Sequence, residues 1–185
     1  MYRFARFIFQ ILFTFFIPCK IKGIENIPNE GSLLLVGNHK SNFDSPLVVK
    51  AIRRKVHFIA KKELLEGKAK FIFKRLGIIP VDRSTHNNKE SLNKAIEYLK
   101  DGEVVAIFPE GTFNNTEYVI RPFKIGACYL ASKSDSLIVP FSIKGNYKLF
   151  RRVTITFGKP YYLKDKLDLG KENITLMNKV IDLLK

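Results

Sequence analysis

The sequence predicts a single α/β domain with a mainly parallel central sheet covered by helices. Three observations carry that expectation. Short apolar runs recur at residues 32–36, 56–60, 103–108 and 137–143, reading as strands buried on both faces. Segments with apolar residues at helical spacing alternate with them, residues 88–100 and 171–184 most clearly. A chain of 185 residues with 46% hydrophobic side chains can bury one substantial core without cross-links, and is short for two.

Residues 1–17 stand apart. Phenylalanine occupies positions 4, 7, 9, 13, 15 and 16, while Arg3, Arg6, Gln10 and Thr14 recur at helical spacing as one polar stripe. Such a helix has a broad Phe/Ile/Leu face and a narrow basic edge, which suits a membrane interface. It is too short to span, since a hydrocarbon core needs roughly 20 apolar residues, and Pro18-Cys19-Lys20 ends the run. A core helix packed on the domain is the plainer alternative; a secretory signal lacks its small-residue cleavage site. The expected division is a membrane-interface helix over 1–17 and a folded domain over 18–185.

Within the domain, a loop dense in turn formers over residues 23–31 delivers the chain to a first strand, Ser32-Leu33-Leu34-Leu35-Val36. A polar turn follows, and Ser45-Pro46 reads as a helix start, Ser45 capping and Pro46 opening the first turn, with the helix running over 47–53. Residues 56–60 form a second strand, in which His57 reads as a structural histidine. Residues 69–75 suggest a short basic helix carrying Phe71, Ile72 and Phe73, and residues 77–83 a third strand. The helix over 88–100 turns Leu92, Ala95, Ile96 and Leu99 to one face, as a crossover helix covering the sheet does. Residues 103–108 are the clearest strand, and residues 121–127 lead into a helix ending near Ser132. Pro140 within the strand over 137–143 implies an edge, bulge or interruption. A final strand over 153–157 ends at Gly158-Lys159-Pro160, before the amphipathic helix over 171–184.

The formal charge of +15 and a pI near 9.8 point to an anionic partner, whether nucleic acid, anionic lipid or a phosphorylated substrate. Cys19 and Cys128 are far apart with no CxxC or Cys/His cluster, so no disulfide framework or metal site is expected and the thiols read as inert. With no Walker-type loop and no GxGxxG, nucleotide hydrolysis and hydride transfer lack their usual signatures.

The chemistry concentrates around Asn38-His39-Lys40-Ser41-Asn42-Phe43-Asp44. His39 and Asp44 point in different directions on a regular helix, so they meet only if the chain bends, which Gly37, Asn38 and Asn42 permit. Asp44 near a helix start would stay ionised and orient the imidazole, making His39 a general base; a structural hydrogen bond is the competing reading. Lys61-Lys62 follows a strand where α/β sheets bind ligands, although a solvated helix start explains the pair equally. Arg83 could fork onto a phosphate or pair with Asp82. In Pro109-Glu110-Gly111-Thr112, Gly111 allows backbone to approach a ligand, Thr112 offers a hydroxyl, and Glu110 offers an acceptor; an ordinary turn is the alternative.

Taken together, His39-x4-Asp44, Lys61-Lys62-Glu63-Leu64, the stretch from Gly77 to Arg83, Phe108-Pro109-Glu110-Gly111-Thr112 and Ile138-Val139-Pro140-Phe141 resemble, in order, the motif blocks of the glycerolipid acyltransferase family, the bacterial 1-acyl-sn-glycerol-3-phosphate acyltransferases above all. The resemblance implies an αβα sandwich and residues 18–185 as the acyltransferase domain. It further implies His39 as the base, Asp44 as its partner, and the substrate's own hydroxyl as the nucleophile attacking an acyl thioester. Lys61 and Arg83 would hold the acceptor's phosphate, and Glu110, Gly111 and Thr112 its glycerol end. Phe113-Asn114 departs from the Arg-Ser that commonly follows in the family; Arg121 or Lys124 would have to supply the missing cation, and the acceptor's identity is left open. The expectation is acyl transfer from acyl-CoA or acyl-carrier protein to the sn-2 hydroxyl of lysophosphatidic acid. It includes no cofactor or metal, no nucleic acid, and attachment to the cytoplasmic face of the cell membrane. An acyltransferase for another lyso-lipid, or a non-catalytic basic binding module, are the rivals.

Overall fold

A computed structural model describes residues 18–65, 77–82, 88–114, 116–148 and 151–185. The N-terminal helix expected over 1–17, the basic helix expected over 69–75 and Arg83 lie outside the described residues.

Seven strands form one sheet: β1 (Cys19–Lys22), β2 (Leu33–Gly37), β3 (Val56–Lys61), β4 (Ile79–Val81), β5 (Val104–Ile107), β6 (Leu137–Lys144) and β7 (Val153–Phe157). They lie in the order β1-β7-β6-β2-β5-β3-β4, and every neighbouring pair is parallel except β6 with β7. Among the described residues four α-helices accompany them: α1 (Asp44–Ala51), α2 (Lys89–Lys100), α3 (Gly126–Ser134) and α4 (Leu169–Asp182). This is the α/β architecture that the apolar runs predict.

Both faces of the sheet are covered, which is why its central strands carry no polar alternation. Leu33 and Leu35 of β2 point into one core with Leu47 and Val48 of α1, Phe58, Phe108 and Phe141. Leu34 and Val36 point the other way, into a second core with Ala95 and Leu99 of α2, Leu130 of α3 and Leu176 and Val180 of α4. The chain leaves β2 over α1 toward β3 and β4, then returns over α2 to β5 and over α3 to β6. The direction of winding therefore reverses between β2 and β5, whose carboxyl ends form the topological switch point at which α/β sheets bind ligands.

Some local expectations are corrected and others hold. Strand β1 was not expected; it is a four-residue edge strand with mostly exposed side chains, so no apolar pattern marks it. Helix α1 starts at Asp44 with Phe43 at its N-cap position, so Ser45 lies inside the first turn and is not the cap. Pro46 falls inside the first turn, where an absent N–H has no intrahelical partner to lose. Pro140 marks an interruption: β7 pairs with β6 only from Phe141 to Lys144, Gly158 N–H then donates to Pro140 O at 2.7 Å, and the ladder resumes as an isolated bridge between Ile138 and Tyr161. The proline thus sits where β7 leaves the sheet, and its missing donor costs no ladder bond.

Candidate active site

Strand β2 ends at Gly37, and a methyl group there would lie 2.4 Å from the Phe141 ring, so glycine lets β6 pack its aromatic directly under the turn. Next, buried Asn38 donates from Nδ2 to Ile143 O at 3.1 Å and accepts Ile143 N–H on Oδ1 at 2.7 Å. A side chain here continues the β2–β6 pairing beyond the end of the backbone ladder. Because this anchor is fixed from both sides, His39 leaves the sheet in a defined direction.

His39 and Asp44 meet. Nδ1 of His39 donates to Asp44 Oδ2 at 2.8 Å, and the same oxygen accepts the backbone N–H of Lys40 at 2.6 Å and of Ser41 at 2.8 Å. The bend between the two residues is therefore made by the carboxylate, which gathers the loop around itself. Asp44 Oδ1 accepts the phenolic O–H of Tyr147 at 2.7 Å. Asp44 is fully buried, and four donors around an acceptor-only group are what an ionised carboxylate needs there. A carboxylate at Nδ1 fixes the neutral imidazole as the Nδ1–H tautomer, which leaves the lone pair on Nε2.

The imidazole is held by rings on two sides. Phe108 stacks on it at 4.1 Å between centroids and 9° between planes, and Phe113 packs against it at 4.5 Å and 59°. The side chain remains 12% exposed, and Asn114 N–H donates to His39 O at 2.8 Å, so the loop after β5 is tied to the loop after β2.

Glu110 is engaged by the protein backbone on both oxygens. Its Oε1 accepts His39 N–H at 2.7 Å and its Oε2 accepts Arg121 N–H at 2.8 Å, so this buried carboxylate binds two loops together. Burial raises its pKa above the usual carboxylate value, against the lowering effect of those two N–H donors. Gly111 adopts a left-handed φ of 72°, and a methyl group on it would come within 3.0 Å of Lys124 Cε and 3.1 Å of its Nζ. The Lys124 ammonium therefore lies over the turn that exposed Thr112 completes, while Arg121 joins the site through its backbone.

Lys61 ends β3, two strands from β2 in the sheet and thus roughly 10 Å away, with its side chain exposed. Lys62, just after β3, forms an ion pair with Asp82, just after β4. The structure gathers His39, Asp44, Glu110, Gly111 and Lys124 at one point, sets Lys61 along the same edge, and does not describe Arg83. Sequence reasoning missed Asn38 as an anchor, Tyr147 and the Phe108/Phe113 clasp. Only the first had a local signal, a polar residue closing an all-apolar strand. Tyr147 lies 103 positions from Asp44.

Among the described residues no cluster of three or more His, Cys, Asp or Glu side chains could hold a metal. Cys128 is buried, and burial pushes its thiol up to about 11, which keeps it from acting as a thiolate near neutral pH.

Fold and matched sequence together define the class of protein: the chain belongs to the acyltransferase family, whose sequence model covers residues 18–144. Among its relatives, it is 28% identical over 191 residues to a 1-acyl-sn-glycerol-3-phosphate acyltransferase of Bacillus subtilis, over 98% of this chain and 94% of that one. It is 30% identical over 144 residues to the human 1-acyl-sn-glycerol-3-phosphate acyltransferase alpha, over 76% of this chain and 50% of the relative. The crystal structure of the 1-acyl-sn-glycerophosphate acyltransferase of Thermotoga maritima superposes with a TM-score of 0.78 at 26% identity, over 98% of this chain and 78% of that one. Catalysis of acyl transfer is thus the activity class of this protein.

Proposed function

We propose that the protein transfers a fatty acyl group from acyl-CoA or acyl-carrier protein to the sn-2 hydroxyl of 1-acyl-glycerol-3-phosphate, giving phosphatidic acid for phospholipid biosynthesis. The observation that carries this reading is the 2.8 Å contact between His39 Nδ1 and Asp44, which leaves Nε2 as the basic nitrogen at the carboxyl edge of the sheet. The names of the relatives favour that acceptor.

In this mechanism Nε2 removes the proton of the acceptor hydroxyl as its oxygen attacks the thioester carbonyl. The imidazolium, stabilised by Asp44, then returns that proton to the sulfur as the C–S bond breaks, so a free thiol leaves and no acyl-enzyme forms. Lys61 and Arg83 bind the phosphate, with Lys124 and Arg121 close to the turn at Gly111 and Thr112 as further cationic contacts. Holding both reactants makes the attack effectively unimolecular, a gain of up to roughly 7–11 kcal/mol when alignment is good.

A second reading keeps the reaction and changes the acceptor to another lyso-lipid. Phe113 favours it, because an apolar ring packs against His39 where the family commonly has an arginine. Thiol release from acyl-CoA, measured across a panel of lyso-lipids, tests both. Preference for lysophosphatidic acid supports the first reading, preference for a zwitterionic lyso-lipid the second, and silence with acyl-CoA and acyl-carrier protein alike overturns both.

No described helix is long and apolar enough to cross a membrane. The Phe-rich segment 1–17 is assigned here as an interfacial anchor on the cytoplasmic face. Its deletion should release the protein from anionic liposomes, and undiminished binding would contradict the assignment.

A further inference from the structure

We infer that Tyr147 is a positioning residue for the reaction: its phenol holds Asp44 Oδ1 so that Oδ2 stays aimed at the imidazole of His39. The inference rests on the reading of His39 as base.

Tyr147 lies in the connection between β6 and β7, far in sequence from the loop that carries the dyad, and reaches it at 2.7 Å. Its ring packs on Phe43, the residue preceding α1, with centroids 5.6 Å apart. A second link runs the opposite way, from Lys40 Nζ to Gly145 O at 3.4 Å. The hairpin connection thus meets the catalytic loop from the β6 side of β2, whereas Phe108 and Phe113 reach it from the loop after β5, on the other side.

The hydrogen-bond accounting gives the phenol its role. Oδ2 serves His39 Nδ1 and the amides of Lys40 and Ser41, whereas Oδ1 receives Tyr147. Without that donor, Oδ1 of a fully buried carboxylate would lose its hydrogen bond, and more of the negative charge would be presented to the imidazole. The donor is constant: burial, then the charge of Asp44 and the hydrogen bond to it, hold the phenol protonated far above its ordinary range. Of the other charged groups, Glu110 reaches His39 through its backbone N–H, and Lys40 directs its ammonium to Gly145. Tyr147 is therefore the side-chain donor that sets how much negative charge Asp44 presents to the ring.

The test is Tyr147→Phe in the full chain in detergent micelles, which keeps the ring on Phe43 and removes only the hydroxyl. Nitrogen-15 histidine NMR follows the three histidines through a pH titration, with His39 assigned from His39→Ala. More charge on Asp44 favours the imidazolium, so the His39 midpoint should rise by roughly half to one unit in the variant. The His57 resonance, on the opposite face of the sheet, should stay in place and reports that the fold is intact. In the thiol-release assay kcat should fall roughly tenfold, the acid limb of its pH profile should move to higher pH, and KM for 1-acyl-glycerol-3-phosphate should change little. An unchanged His39 midpoint with unchanged kcat would overturn the proposal. So would a change in which His57 moves together with His39, because that is the signature of a purely structural role. The NMR arm does not depend on turnover: a shifted His39 in a protein that transfers no acyl group would refute the functional reading and still support Tyr147 as the residue that sets the dyad.

Discussion

Glu110 Oε1 accepts the backbone N–H of His39 at 2.7 Å, and its other oxygen holds the N–H of Arg121. The carboxylate of the Glu-Gly-Thr turn thereby fixes the position from which the histidine works, as Asp44 fixes its ring. Glu110→Gln should therefore impair both stability and turnover, since an amide presents an NH2 to one of two buried N–H donors. An unsatisfied buried donor costs about 1–3 kcal/mol. Urea unfolding should show a loss in that range, and a wild-type midpoint would show that the bracket does not matter.

Phe113 leads to a prediction about the acceptor. Its ring occupies the approach to His39 at 4.5 Å, and a guanidinium at that position could form a bidentate contact with a phosphate. Phe113→Arg should lower KM for lysophosphatidic acid relative to lysophosphatidylcholine, by roughly tenfold for one charge-assisted contact. An unaltered ratio between the two lipids would place the phosphate elsewhere along the edge.

His57 yields a pH prediction. It is fully buried, stacks on Tyr98 at 3.8 Å, and donates from Nδ1 to Gly77 O at 2.9 Å, while Nε2 has no hydrogen-bond partner among the described residues and lies 4.0 Å from Glu103 Oε2. Burial is the largest influence and holds its pKa below the ordinary 6.5, despite the Gly77 carbonyl. The unfolded chain then binds a proton at a pH where the native protein does not. Its stabilising contribution is complete above 6.5 and is lost as pH falls through that value toward the lower native pKa. The urea midpoint should drop between about pH 7.5 and about pH 5.5, with a slope from this group of at most ~1.4 kcal/mol per pH unit. His57→Asn, able to donate to Gly77 from nearly the same place, should flatten that drop; parallel profiles would contradict the argument.

Much of this was legible in the sequence, for identifiable reasons. A parallel sheet buried on both faces writes itself as apolar runs, so β2, β5 and β6 could be read directly, as could α2 from its period. The His39–Asp44 contact was legible because both partners lie in one short loop. What stayed hidden is nonlocal or lacks a pattern. The bonds from Asn38 to Ile143 and from Tyr147 to Asp44 each span more than half of the chain, and no spacing rule encodes them. The turning of Glu110 toward backbone amides was equally hidden, since a carboxylate beside a glycine reads the same whether it faces substrate or protein. The edge strand β1 has too few buried residues to show alternation.

The central claim is that His39 takes the proton of the acceptor hydroxyl, and His39→Ala tests it most directly. Alanine keeps the backbone N–H that Glu110 accepts, so the loop retains its tie while the base is removed. Thiol release from acyl-CoA with lysophosphatidic acid should fall by at least about a hundredfold, with the circular-dichroism spectrum and liposome binding unchanged. A variant that folds, binds and still turns over near the wild-type rate would contradict the account.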